Sequence, residues 1–314
     1  SRGTDMHTCS EYYLKNLDIP IIPDVATSTS TVLTVSVVVY QLDEPVLQET
    51  LISLLEAAYV AFQQSQLAHL RLYLVDNEPS GANRPVLEKL LSRCQRQISG
   101  LPLNTHLLSG HGNIGYGRGH NLALQHCEAL EGAGNQAAFL ILNPDVTLEP
   151  ESLLEGLRWL LGHAETVAVA PAIEERDGHL ASACKRYPSM LDFFLRGFAP
   201  TRIKQRFADR LAHYDMHDLP EDKPSDNIPI ISGCFMLFRQ STLSALKGFD
   251  PDYFLYFEDF DLSMRARRFG SLTYLPQMRI HHLGGNSARK GLRHIAMFGR
   301  SALRFFTTQG WRWS

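Results

Sequence analysis

The chain has 314 residues, 44% of them hydrophobic and 20% charged, enough for one large domain or two smaller ones and unlike a disordered or fibrous protein. No apolar run approaches the roughly 18 residues that span a bilayer. The net charge of −3 hides an asymmetry: ten basic and no acidic residues follow Asp261, against 20 basic and 33 acidic ones up to it.

Residues 1–31 are polar, end in a Thr/Ser run and read as an extended arm; Ser1 to Asp5 precede Met6 and are left out of the fold argument. No secretory signal pattern opens the chain. Thr34 to Tyr40 is β-branched and apolar, suited to a strand buried on both faces. Glu44 to Gln66 carries Leu47, Leu51, Leu54 and Ala58 at helical spacing. Arg71 to Val75 is a second strand running into Asp76 and Asn77, and Pro85 to Gln97 a second helix. Leu103 to Leu108 is a third strand, Gly110 to Gly119 a glycine-rich loop, and Asn121 to Leu130 the helix after it. Ala137 to Leu142 is a fourth strand ending in Asn143-Pro144-Asp145. Pro150 to His163 is a helix and Thr166 to Ala170 a fifth strand. Strands alternating with helices predict an α/β fold with a Rossmann-like, mainly parallel sheet flanked by helices.

The second half is less regular. Arg176 to Pro188 reads as a hairpin, 191–226 as a charged excursion, and Ile228 to Arg239 as a buried strand pair around Gly233. Glu258 to Phe269 reads as a helix ended by Gly270, and Leu272 to Ile280 as a strand running into His281 and His282. The five cysteines (Cys9, Cys94, Cys127, Cys184, Cys234) are scattered, odd in number and without CxxC spacing. They favour reduced thiols in a cytoplasmic setting over a disulfide framework or a zinc site.

In parallel sheets ligands bind beyond the carboxyl ends of the strands. Asp76, the glycine loop and Asn143/Asp145 all fall there. Asp76 can accept from a pyrimidine N3–H or a ribose hydroxyl, or cap a turn. Gly115, Gly117 and Gly119 can bring backbone N–H groups and Arg118 to a diphosphate. The loop follows the third strand, not the first, which argues against NAD; the Gly-Lys-Ser/Thr ending of a P-loop is missing. Asn143 and Asp145 suit a hard divalent cation shared with phosphates, or a capped turn. Glu258 and Asp259 sit within, and Asp261 directly after, an aromatic stretch from Tyr253 to Phe260. Carboxylates desolvated there are candidates for proton transfer or metal binding, or form an acidic helix start.

The motifs, in order, are Val35 to Val39, Val75-Asp76-Asn77, Asn113 to Asn121, Leu140 to Val146, Ser232 to Met236, Tyr256 to Asp261 with Arg265, and His282 five residues before Ser287. In that order they resemble a family 2 glycosyltransferase of the GT-A fold, near the bacterial rhamnosyltransferases. The resemblance runs from about Val35 to Ser287. It implies a glycosyltransferase domain over 32–288, with a nucleotide-binding half at 32–146 and an acceptor half at 147–288. It implies an inverting reaction in which Asp259 is the general base, with Glu258 and Asp261 orienting it, binding acceptor or pairing with Arg265. Asp145 and His282 would hold Mg2+ or Mn2+. Val39, Asp76, Asn77, Gly115, Arg118, Asn121, Asn143, Asp145 and Gly233 would meet the nucleotide sugar. Asn143 departs from the family's first metal-binding aspartate, and a neutral amide is the weaker ligand. The implied donor is dTDP-L-rhamnose, and the acceptor a polyprenyl-diphosphate-linked or polysaccharide glycan of the O-antigen kind. A UDP-sugar transferase is the nearest rival, and a non-catalytic nucleotide-sugar binder the rival of another class.

The tail 289–314 mixes Arg289, Lys290, Arg293, Arg300 and Arg304 with Met297, Phe298, Leu303, Phe305, Phe306, Trp311 and Trp313. A basic helix with aromatics predicts an interfacial helix, the competing reading being a helix packed on the domain, and the resemblance implies the inner membrane of a bacterium as the surface. The tail has no base-reading module, so nucleic acid is not an expected partner.

Overall fold

The computed structural model describes residues 30–131, 136–174, 178–197, 199–283 and 292–312. The arm over 1–29, Cys9, Ser287, Arg289, Lys290 and Trp313 therefore lie outside the described residues.

Strand β1 (Thr31–Val39) is buried along nearly its whole length, as its β-branched run requires. Helix α1 (Glu44–Gln63) follows, capped where Asp43 accepts from the Val46 amide at 3.3 Å. Then come β2 (Leu67–Asp76), α2 (Arg84–Gln97), β3 (Leu103–Leu108), α3 (Tyr116–Glu131) and β4 (Ala137–Leu142). After β4 the chain makes β5 (Val146–Leu148), α4 (Ser152–Gly162) and β6 (Thr166–Glu174). It continues with β7 (Leu180–Ser182), β8 (Cys184–Lys185), and three short helices α5 (Met190–Gly197), α6 (Thr201–Arg206) and α7 (Ala208–Tyr214). Last are β9 (Ile230–Ile231), β10 (Phe235–Arg239), α8 (Gln240–Ala245), α9 (Glu258–Ala266), β11 (Ser271–His282) and α10 (Leu292–Gln309).

The main sheet runs β3-β2-β1-β4-β10-β6-β11-β5, with β7 on β6. Strands β3, β2, β1, β4, β6 and β11 are parallel; β10, β5 and β7 oppose them. Leu47, Leu51, Leu87, Leu90, Leu153 and Leu157 of α1, α2 and α4 seal one face. Ala123, Leu124, Leu243, Leu262 and Ala266 of α3, α8 and α9 seal the other. Val39 pairs with Asp76 and Val37 with Leu142, so the ends of β2, β1 and β4 form one rim.

Three expectations change. Helix α3 begins at Tyr116, so half of the expected glycine loop is helix. A Cβ on Gly117 would lie 2.8 Å from Phe249 Cβ, and one on Gly119 2.8 Å from Val38 Cγ2. These glycines permit close helix packing, a demand invisible to periodicity. The expected strand pair around Gly233 does not form: β9 pairs with β8, while β10 is inserted between β4 and β6. The hairpin before Pro188 uses β6 as its first strand. The 191–226 excursion is three short helices and an irregular return.

Candidate active site

At the rim Asp76 is fully buried. Its Oδ1 accepts from the Glu78 amide and from Asn83 Nδ2, both at 3.1 Å. Its Oδ2 is buried with no hydrogen-bond partner. A buried carboxylate oxygen left in this way is costly unless a ligand donates to it. Asn83 also donates to the Tyr40 carbonyl at 3.2 Å, tying the end of β1 to Asp76. Asn77 donates to the Gly115 carbonyl at 2.9 Å, and its Oδ1 lies 2.9 Å from His111 Nε2. Val39 packs into the core, and its carbonyl accepts from the Asn77 amide.

A hydrogen-bonded spine links this rim to α9. The buried Tyr116 hydroxyl lies 2.8 Å from Asn143 Oδ1 and 2.6 Å from the Gly233 carbonyl, sharing one proton between them. Burial holds its pKa well above the ordinary range. The Gly233 amide in turn donates to Asp259 Oδ2 at 2.8 Å, and the Phe260 amide to Oδ1 at 3.0 Å. Both oxygens of Asp259 are thus aimed by backbone. Burial raises the Asp259 carboxyl above its usual range, while those two amides and the Lys185 charge hold the rise back. Burial, with Asp259 beside it, pushes Glu258 up to about 8. Two residues before α9, Tyr256 and Phe257, have φ of 71° and 64°. Side chains of this size rarely enter that region, so the loop presenting the carboxylates is strained.

Asp261 takes the expected alternative of pairing with Arg265. Arg265 Nε reaches Asp261 Oδ2 at 2.7 Å, and its other nitrogens donate to the carbonyls of Leu246 and Gly248. Asp261 Oδ1 accepts from Gln309 of α10 at 3.0 Å. The pair locks α9 to a neighbouring turn and to the tail helix.

Pairing of β11 with β5 sets His282 opposite Val146 and His281 opposite Thr147. Successive strand residues point to opposite faces, and the two histidines separate accordingly. His282 Nε2 lies 3.5 Å from Asp145 Oδ1. Two donors so placed fit a divalent ion held about 2.1 Å from each. His281 turns to Glu149 Oε1 at 2.6 Å and to the Glu174 carbonyl at 3.1 Å. Burial works against its charge, but these acidic partners raise its pKa. Glu149, Glu174 and His281 form a second group whose ligand atoms lie within 4.8 Å of one another. Asn143 Oδ1 is occupied by Tyr116.

No family model matches the chain. Over 229 residues it is 27% identical to the N-acetylglucosaminyl-diphospho-decaprenol L-rhamnosyltransferase of Mycobacterium tuberculosis, covering 66% of this chain and 69% of that one. It is 24% identical over 228 residues to Rhamnosyltransferase WbbL of Escherichia coli strain K12, covering 70% of this chain and 75% of that one. The mannosyltransferase PcManGT of Pyrobaculum calidifontis, solved in complex with GDP-Man and Mn2+, matches with a TM-score of 0.53 at 18% identity. That match covers 95% of this chain and 73% of the other. The chain has the GT-A fold and is similar in sequence to these rhamnosyltransferases.

Within this fold Asn143, Gly233 and Asp259 are brought together, with Asp145 and His282 next to them in sequence and strand pairing. Asp76 and Asn77 stand at the same rim. Arg118 and Asn121 have other work. Arg118 Nε donates to the Pro251 carbonyl at 2.7 Å, and Arg118 lines a cavity of about 780 Å3 beneath α10. Asn121 both donates to and accepts from the Phe249 backbone at 2.8 Å. Gly115, at φ 91°, lets the chain pass Phe254, where a Cβ would meet the carbonyl oxygen at 2.5 Å. Sequence reasoning missed Tyr116, Asn83 and Lys185. A lone tyrosine among alternating glycines was the available signal for Tyr116. Asn83 and Lys185 had none.

Proposed function

We propose that the protein is an inverting, metal-dependent glycosyltransferase that moves L-rhamnose from dTDP-L-rhamnose to a hydroxyl of a lipid-linked or polysaccharide acceptor in cell-surface polysaccharide synthesis. The observation that carries this is the spine Asn143–Tyr116–Gly233–Asp259, which joins the donor rim to a carboxylate aimed by two backbone amides. The donor and acceptor classes are supported by the printed names of the relatives.

Asp76 receives a hydrogen bond from the base or ribose through its buried Oδ2. Asp145 and His282 would hold Mg2+ or Mn2+, whose charge, when bound, favours departure of the diphosphate. Asp259 takes the proton of the acceptor hydroxyl. The oxygen forms its bond to the anomeric carbon on the face opposite the nucleoside diphosphate, which leaves with the electron pair of the broken C–O bond, so the configuration inverts. A carboxyl raised above its usual range is the stronger base for this step. Residues 32–146 form the donor half and 147–288 the acceptor half. The enzyme acts at the cytoplasmic face of the inner membrane, with α10 as its contact. No helix of the described residues is long and apolar enough to cross a membrane.

Calorimetric titration of dTDP, UDP and GDP, each with and without Mn2+, tests this reading. Tightest binding of dTDP, strengthened by metal, is expected. A preference for UDP replaces the donor and keeps the mechanism; no response to any nucleotide overturns the transferase reading.

A further inference from the structure

Along α10 runs an open cleft of about 780 Å3 whose walls include Arg118, Phe254, Met297, Arg300, Leu303 and Arg304. Neither Asp76 nor Asp145 of the donor rim lines it. Arg304 Nη2 lies 2.7 Å from carboxylate oxygens of both Asp250 and Asp252, so its charge is answered. Arg118 and Arg300 are exposed and meet no carboxylate among the described residues. Donation from Arg118 Nε to the Pro251 carbonyl at 2.7 Å holds the guanidinium in place and leaves its terminal N–H groups for a ligand. Phe254 and Leu303 are large and apolar, yet 38% and 58% exposed. Two uncompensated guanidiniums beside an exposed apolar strip suit an anion with an apolar tail. A bare phosphate leaves the strip in water, and a neutral lipid leaves the arginines unpaired.

We propose that this cleft receives the diphosphate and first isoprenoid units of the lipid-linked acceptor. Arg118 and Arg300 hold the diphosphate, and the chain lies along Phe254, Met297 and Leu303. This rests on the transferase reading above, and it assigns Arg118 to the acceptor's lipid instead of the donor's diphosphate. The cleft is placed for that task. Phe254 lines it, while Leu255 to Phe260 line the pocket on the other side of the same loop, where Asp259 stands. Ser301 of α10 ties helix and loop together by donating to the Leu255 carbonyl at 2.8 Å. A diphosphate held here is therefore one loop away from the base. The far side of the loop carries Asp259 and Glu258, whose Oε2 is buried without a hydrogen-bond partner, so the arginine side is the one that suits the anion.

The test is calorimetric titration of the full chain with farnesyl diphosphate, inorganic diphosphate, farnesol and dodecyl phosphate, each with and without saturating dTDP and Mn2+. Farnesyl diphosphate is expected to bind at least about tenfold more tightly than the other three, and equally well whether or not dTDP is present. Arg118→Gln with Arg300→Gln should weaken it by about ten- to a hundredfold, the scale of lost charge-assisted hydrogen bonds, with dTDP affinity and melting temperature unchanged. Leu303→Ser should weaken it about tenfold while leaving inorganic diphosphate unaffected. The cleft assignment is overturned if farnesyl diphosphate fails to bind, if dTDP displaces it, or if the double variant binds it like the wild type. It is equally overturned if Arg118→Gln alone weakens dTDP, which returns Arg118 to the donor, or if inorganic diphosphate or dodecyl phosphate binds as tightly, which leaves an unselective anion or lipid surface. Failure of dTDP and every other nucleotide to bind sinks the transferase reading instead, so the two failures are distinguishable.

Discussion

At the scale of single residues, Asp259 and Gly233 make one unit. Replacing Asp259 by Asn keeps the shape and the amide contacts but removes the base. Transfer should fall by at least about a hundredfold while dTDP affinity, measured by calorimetry, stays within error. Because burial raises the Asp259 pKa, the acid limb of the turnover–pH profile should lie above the usual carboxylate range. Gly233 accepts no larger residue quietly, since a Cβ would stand 3.2 Å from Asp259 Cβ. Gly233→Ala should shift the carboxylate by tenths of an ångström and lower turnover about ten- to a hundredfold, with donor affinity retained. Glu258 bears on stability too. Its folded pKa of about 8 exceeds the ordinary 4.5, so the native state binds the extra proton between these values. The stability this confers is complete below about pH 4.5 and is lost as pH rises through about 8. Thermal melts of the wild type should therefore decline relative to Glu258→Gln across that window, and parallel curves would disprove the shift.

At the scale of elements, α9 and α10 act together. Phe305 and Phe306 of α10 are fully buried among Phe257, Phe260 and Phe193. Ser301 donates to the Leu255 carbonyl at 2.8 Å, and Arg304 reaches Asp250 and Asp252, both at 2.7 Å. These contacts press on the loop that holds Tyr256 and Phe257 in their strained conformation. Phe305→Ala should cost about 3–5 kcal/mol of stability. At a temperature where the variant remains folded, turnover should drop as well, because the loop loses its support. The packed reading of the tail thus holds for one face of α10. Its other face exposes Leu303 and Arg300. Arg300→Glu with Leu303→Ser should weaken co-sedimentation with anionic vesicles while leaving the melting temperature unchanged. Equal sedimentation of variant and wild type would remove α10 from the membrane contact.

At the scale of the whole molecule, local pattern set much of the architecture. The β-branched run at β1, the helical spacing in α1 and the strand–helix alternation up to β6 follow from side-chain size and period, and formed where expected apart from the earlier start of α3 and the added strand β5. Asp76 and Asn143 stood at strand ends because turn-forming polar residues follow apolar runs. What local pattern could not carry was pairing between distant segments. The insertion of β10 between β4 and β6, and the approach of β5 to β11 that sets His282 against Asp145, depend on register between segments far apart in the sequence. The glycines at 115, 117 and 119 read as a phosphate loop, yet their space is taken by Phe254, Phe249 and Val38, partners no local window contains. The same holds for the carboxylates after Phe257. Their clustering with aromatics was visible in the sequence. Which one is aimed by amides, which is locked to arginine and which is left buried without a partner was decided only when α9, Gly233 and α10 came together, because hydrogen bonds and desolvation belong to neighbours in space.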